Sequence, residues 1–140
     1  MSCKNNLIIK ALLYFWQLPQ NILAILLVGK NGRHSHSIDG VRIYYTSKIE
    51  GLSCGNVILF NKNAPEGTWL IKHEFGHTIQ SRILGWFYLP VIFVPSYMWY
   101  LYFSEKERKL GAKLPYSSYY KFYTEKWANN LVGIKPKEHQ

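Results

Sequence analysis

TWLIKHEFGHTIQSRIL, residues 68–84, is the stretch on which the reading of this chain turns. Its spacing predicts a helix from Thr68 to Leu84, with Asn63 as a cap, Pro65 in the first turn and Gly85 as the stop. Ile71, Phe75, Ile79 and Ile83 recur at four-residue steps and predict a core-facing stripe. His73 and His77 fall on a different face, four apart and so one above the other. Two imidazoles placed this way can bind one Zn²⁺ from the same side. Glu74 stands about 100° round the turn, within reach of a water at the metal and not forced to ligate it. H-E-x-x-H therefore puts two ligands and a proton acceptor on one turn of helix. With five His and seven Glu in 140 residues, chance placement produces the motif in about one chain in a hundred. Gly76 weakens the helix, which marks it as a site of close backbone packing.

Upstream, Val41–Thr46 (VRIYYT) and Asn56–Phe60 (NVILF) read as strands, with Gly51 and Gly55 punctuating the link between them. They predict a small antiparallel sheet or hairpin, which must pack on helices to be stable. An edge strand there can hold an extended peptide by strand addition. Gly29–Gly40 (GKNGRHSHSIDG) reads as a polar connector, and His34 and His36 as exposed loop residues. Leu7–Val28 is an apolar helical segment of spanning length, but Gln17, Pro19, Gln20 and Asn21 fall in its middle. That predicts either a kinked span or two short helices joined near Leu18. The segment lacks the cleavage site of a secretory signal. Cys3 and Cys54 form no disulfide framework and read as free thiols.

Downstream, Trp86–Phe103 (WFYLPVIFVPSYMWYLYF) is a second apolar segment without a charge. A helix from Pro90 to Phe103 would be about 21 Å long, short of a bilayer core of about 30 Å. Its Trp and Tyr residues suit a membrane interface, and a buried aromatic core helix fits them equally well. Ser104–Lys113 reads as a charged break, and the last helix as running from about Ser117 to Val132. The chain carries a net charge of +9, with 48% hydrophobic and 16% aromatic residues. Basic excess beside apolar blocks favours an anionic membrane surface. The Lys and Arg residues are scattered and no nucleic-acid module is present, so nucleic acid is not the expected partner.

A catalytic zinc takes three protein ligands and a water. After His77 the carboxylates are Glu105, Glu107, Glu125 and Glu138. Glu105 and Glu107 lie among lysines and read as a solvated run. Glu125 lies in the aromatic helical segment YYKFYTEKWANNL, where a carboxylate needs a partner and a metal would be one; the alternative is an exposed Glu beside Lys121 and Lys126. H-E-x-x-H on one helix with E-x-x-x-D on a later helix is the gluzincin pattern of zinc metallopeptidases, which this chain resembles. The run HEFGHTIQSRILG…LP…VPS…YYKFYTEKWAN also resembles a group of small bacterial proteins with apolar segments. The resemblance covers about half the chain, Trp69 to Gly133. It implies His73, His77 and Glu125 as metal ligands, Glu74 as the general base, and Asn129 in the place of the Asp that supports a ligand His. Asn for Asp is a departure, and so is the 48-residue gap from His77 to Glu125. Tyr119, Tyr120 and Tyr123 are the candidates to stabilise an oxyanion, each also suited to an aromatic core.

Together these readings predict an α+β fold. It would be a mostly helical zincin-like domain over residues 1–140, with a catalytic core at 41–133 that includes the apolar segment 86–103. The expected activity is a membrane-associated, zinc-dependent metallopeptidase acting on a peptide or protein substrate, in contact with the lipids of a bacterial cell membrane. The competing expectation is a non-catalytic membrane-bound protein whose zinc is structural or whose site is degenerate.

Overall fold

In the computed structural model, residues 3–61, 63 and 67–135 are described. The cap region 64–66 and the tail 136–140, with Glu138 and His139, lie outside them. The fold is α+β. Two helices, α1 (Cys3–Trp16) and α2 (Leu18–Asn31), precede four strands: β1 (Arg33–Ile38), β2 (Val41–Thr46), β3 (Gly51–Cys54) and β4 (Val57–Asn61). Helix α3 (Gly67–Leu84) carries H-E-x-x-H. A helical path then continues through a 3₁₀ turn and a π turn into α4 (Val94–Leu110), followed by α5 (Tyr116–Tyr119) and α6 (Tyr123–Leu131).

The sheet order is β1-β2-β4-β3. β1 pairs with β2, and β3 with β4, antiparallel, although neither β1 nor β3 is expected as a strand from the sequence. The two runs recognisable as strands, β2 and β4, are instead parallel neighbours. The reason is β3: the short GLSC segment in the link runs back beside β4, so the chain reverses twice between β2 and β4. The expected connector is likewise a strand. Asp39 and Gly40, both at positive φ, turn β1 into β2, the backbone that an Asp-Gly hairpin favours. His34 and His36 are exposed on β1, as expected, though on a strand and not a loop.

Both sheet faces are covered. Ile43, Ile58 and Phe60 pack against Leu70 of α3. Val57 and Cys54 pack against Ala24 of α2 on the other face. That is why all of Val57–Phe60 is buried without alternation.

The N-terminal apolar run breaks at Gln17, with Pro19 in the first turn of α2. The two halves meet at 81°. No single helix among the described residues is long and apolar enough to cross a membrane. The polar residues in the middle of the run turn into the protein. Gln17, Gln20 and Asn21 are buried; Ser81 of α3 donates to Gln17, and Gln20 donates to Ser81 and to the Gly85 carbonyl.

Two further boundaries differ from expectation. Ser104–Leu110 continues α4 as helix and does not break it; Glu105 bonds Arg108 one turn on, and Gly111 in the left-handed region makes the stop. The last helix is split, because Phe122 is extended between α5 and α6.

Candidate metal centre

Helix α3 is packed on two sides, by the sheet and by α6, and its polar face is the buried one. His73, Glu74, His77, Thr78, Gln80 and Ser81 are all buried, whereas Ile83 of the expected core stripe is 52% exposed. Ile71 and Phe75 still pack on the sheet cluster. Gly76 makes the approach of α6 possible: a Cβ there would collide with the backbone carbonyl of Ala128.

Helix α6 brings Glu125 between the two histidines. Its Oε2 lies 3.1 Å from His73 Nε2 and 3.3 Å from His77 Nε2. All three ligand atoms fall within 4.8 Å of one another. The other nitrogen of each imidazole is occupied. His73 Nδ1–H donates to Asn129 Oδ1 at 2.7 Å, and His77 Nδ1–H to Gln80 Oε1 at 2.8 Å. Gln80 is held in that orientation because its Nε2 donates to the Thr124 carbonyl. With both Nδ1 atoms donating, two Nε2 lone pairs and one carboxylate oxygen face a common point. Such a group can hold a metal ion; without one, a proton on His77 Nε2 bridges to Glu125 Oε2. Ligands about 2.0–2.1 Å from a tetrahedral centre stand about 3.3 Å apart, which suits the two Glu125–histidine separations of 3.1 and 3.3 Å.

Without an ion, Glu125 and His77 hold one another in their charged forms. Burial would raise the Glu125 carboxyl, but His77 and His73 outweigh it and hold Glu125 well below the usual range. Burial opposes a charged His77, yet Glu125 overcomes it and lifts that imidazole to about 9. Glu74 behaves differently. Burial is the main cause that raises its pKa, with His77 and His73 opposing and Glu125 adding to it. Its Oε2 has no hydrogen-bond partner among the described residues. Gly51 of β3 leaves room for it, since a Cβ there would lie 2.8 Å from Glu74 Oε1.

A cavity of about 680 Å³ reaches the group. Leu23 and Leu27 of α2 and Tyr97 and Tyr100 of α4 line it together with His73, Glu74, His77 and Glu125. Tyr119 and Tyr120 also line it, whereas the Tyr123 hydroxyl bonds the Val91 carbonyl and its ring is half exposed. Burial, with Glu125 and Glu74, raises the Tyr119 phenol and keeps it a donor.

The structure thus assembles all five residues singled out from sequence: His73, Glu74, His77, Glu125 and Asn129. It adds Gln80, three residues after His77 on the same helix, and Ser96 and Thr124, whose hydroxyls both donate to Glu125 Oε1. The i, i+3 spacing of His77 and Gln80 was a usable signal for the first. Nothing in the sequence marks Ser96, because its contact depends on how α4 docks. Comparisons of the chain with protein-family models, with curated proteins and with solved structures return no match.

Proposed function

We propose that this protein is a membrane-associated zinc metallopeptidase of the gluzincin pattern. The observation that carries the reading is the convergence of His73 Nε2, His77 Nε2 and Glu125 Oε2 beside Glu74, a buried carboxylate with an unpartnered oxygen. His73, His77 and Glu125 would hold the metal. Bound zinc supplies Lewis acidity, polarising a carbonyl and making water easier to deprotonate. Glu74, with its pKa raised by burial, takes the proton from the attacking water and delivers it to the leaving amine.

The sheet edge suits an extended peptide. β3 is an edge strand, and Asn61 N–H donates to the Glu50 carbonyl across the β3–β4 pair. By alternation, the backbone groups of Gly51 and Ser53 point away from β4. The Tyr88 hydroxyl already takes the Ser53 carbonyl. Ser53 is buried, so the part-exposed Gly51, with its N–H and C=O turned away from β4, is where a substrate backbone can pair.

A membrane setting is supported by α1. Every residue from Leu7 to Trp16 is exposed, and all but Lys10 are apolar or aromatic. A helix apolar on every side calls for an apolar surrounding. Its Phe15 ring lies 5.8 Å from Trp86, which leads into an exposed row at Phe87, Val91, Val94, Met98 and Leu101. The Trp16 and Trp86 indoles donate to the Arg82 and Phe15 carbonyls, so both rings can enter lipid without orphaning a donor.

The burial of all three ligand side chains favours the competing reading of a structural zinc. One experiment separates the two. Purified protein should retain stoichiometric zinc, and His73→Ala and Glu125→Ala should lose it. Glu74→Gln should keep zinc and abolish hydrolysis of a casein or peptide-library substrate. Zinc retention with no hydrolysis by the unsubstituted protein would leave the structural reading standing; no zinc at all would sink both.

A further inference from the structure

We propose that Ser96 is a positioning residue for the metal centre, fixing Glu125 so that only its Oε2 is presented to the ion. The proposal rests on the reading of His73, His77 and Glu125 as ligands.

Glu125 has two oxygens with different surroundings. Oε2 stands between the two Nε2 atoms. Oε1 accepts from the Ser96 hydroxyl and, at 2.9 Å, from the Thr124 hydroxyl. A free carboxylate in this place could rotate, or ligate through both oxygens and so occupy a further coordination position. Two hydroxyl donors on one oxygen oppose both, because ligation through Oε1 would break charge-assisted hydrogen bonds. The open position needed by a water then stays open.

The two hydroxyls are not equivalent. Thr124 adjoins Glu125 in sequence, so its bond is local and follows Glu125 wherever α6 goes. Ser96 sits on α4, 29 residues away, and is half buried on the wall of the cavity. It ties the ligand to an element outside the α3–α6 pair, from which the other described hydrogen bonds to the ligands come. It is also the link between the centre and the helix whose outer row is exposed and apolar. Pro95 precedes it in the first turn of α4, which limits the backbone at that position.

The test uses the full chain with Ser96→Ala and Ser96→Thr. Zinc affinity would be measured by competition with a chelating dye. The visible spectrum of the Co²⁺-loaded protein would report coordination number. Melting of the chelator-treated protein would report the fold. Loss of such a supporting bond typically weakens metal binding by about 10–100-fold, so Ser96→Ala should fall in that range. Its Co²⁺ bands should weaken as the carboxylate becomes free to use both oxygens. Ser96→Thr, which keeps the hydroxyl, should restore both readouts, and melting without metal should be nearly unchanged in either variant. Equal zinc affinity and an unchanged Co²⁺ spectrum in Ser96→Ala would overturn the proposal. So would equal losses in the Ala and Thr variants, which would mark a packing role. If the unsubstituted protein binds neither ion, the metal reading itself fails and takes this one with it.

Discussion

Asn129 and Gln80 decide the character of the centre at the residue scale. Each accepts the Nδ1–H of one ligand histidine, and each is a neutral amide where a carboxylate would raise ligand basicity. Gln80→Ala should therefore weaken zinc binding by about 10–100-fold, measured by chelator competition. An affinity within experimental error of the parent would show that His77 is oriented by other means. Asn129→Asp should act in two opposite directions. Zinc affinity should rise, because the acceptor becomes charged. The chelator-treated protein should melt lower, because a third carboxylate joins Glu74 and Glu125 in a buried space. Asn129 Nδ2 has no partner among the described residues, so the change sacrifices no hydrogen bond there. Cys54 is a separate case. Burial raises its thiol to about 12, against the lowering effect of a backbone contact at Ala24. The thiol donates to the Gln20 carbonyl and is no thiolate ligand or block for the centre. In a Cys3→Ser background, Cys54 should resist iodoacetamide at pH 8 and react promptly in denaturant. The sign for stability follows: the folded pKa lies above the unfolded value of 9.0, so the contribution is intact below that pH and fades as pH rises towards 12. Fast alkylation of the native protein would mean that β3 opens readily.

The contact between α3 and α6 is the element-scale feature on which the centre depends. The three proposed ligands come from two helices, and only close backbone approach lets Glu125 reach between two imidazoles on α3. Gly76 provides that approach, facing the Ala128 carbonyl. A methyl group at Gly76 has only backbone to push against, so the helices must separate. Overpacking of this kind costs about 1–3 kcal/mol, and Gly76→Ala should lower the melting temperature accordingly. It should also lose zinc, since the shift moves Glu125 off the histidines. Retention of full zinc affinity would show that α6 can adjust by rotation. The same geometry explains why α3 departs from its own pattern. A helix between a sheet and a second helix has two buried sides, and the apolar row at four-residue spacing covers only one. Polar residues fill the other, and they are tolerated because nearly every one is hydrogen-bonded: Thr78 to Ser53, Ser81 to Gln17, Gln80 to Thr124.

On the scale of the whole molecule, the polar centre and the apolar exterior belong to the same helices. α2 lines the cavity with Leu23 and Leu27 and exposes Ile22 and Leu26; α4 lines it with Tyr97 and Tyr100 and exposes Val94 and Met98. On the proposed reading a bilayer surface covers this exterior, and the net charge of +9 favours an anionic one. The protein should co-sediment with vesicles containing phosphatidylglycerol. Replacing Leu7, Leu12 and Phe15 together with Ser should reduce that binding at least about tenfold, given roughly 1.5–3 kcal/mol per large apolar side chain. Zinc content should not change, because the three substituted residues are exposed and are not among the residues of the centre. Undiminished vesicle binding by the triple variant would remove α1 from the membrane contact.

Residue spacing alone determined the local facts: a helix through His73 and His77, their shared face, the break near Pro19, and Glu125 with Asn129 one turn apart on a later helix. These rest on 3.6-residue periodicity and on backbone rules that act over a few positions. The α+β class was legible for the same reason, from β-branched runs beside apolar helical ones. The pairing of β2 with β4, the burial of the polar face of α3, and the meeting of Ser96 with Glu125 were not. Each joins elements far apart in sequence, and each depends on what covers a surface, which spacing does not encode. Glu125, the proposed third ligand, lies between these cases. Its residue type and helix were readable, but its place between two imidazoles was decided by a missing side chain at Gly76 and by the packing of α6 that this gap allows.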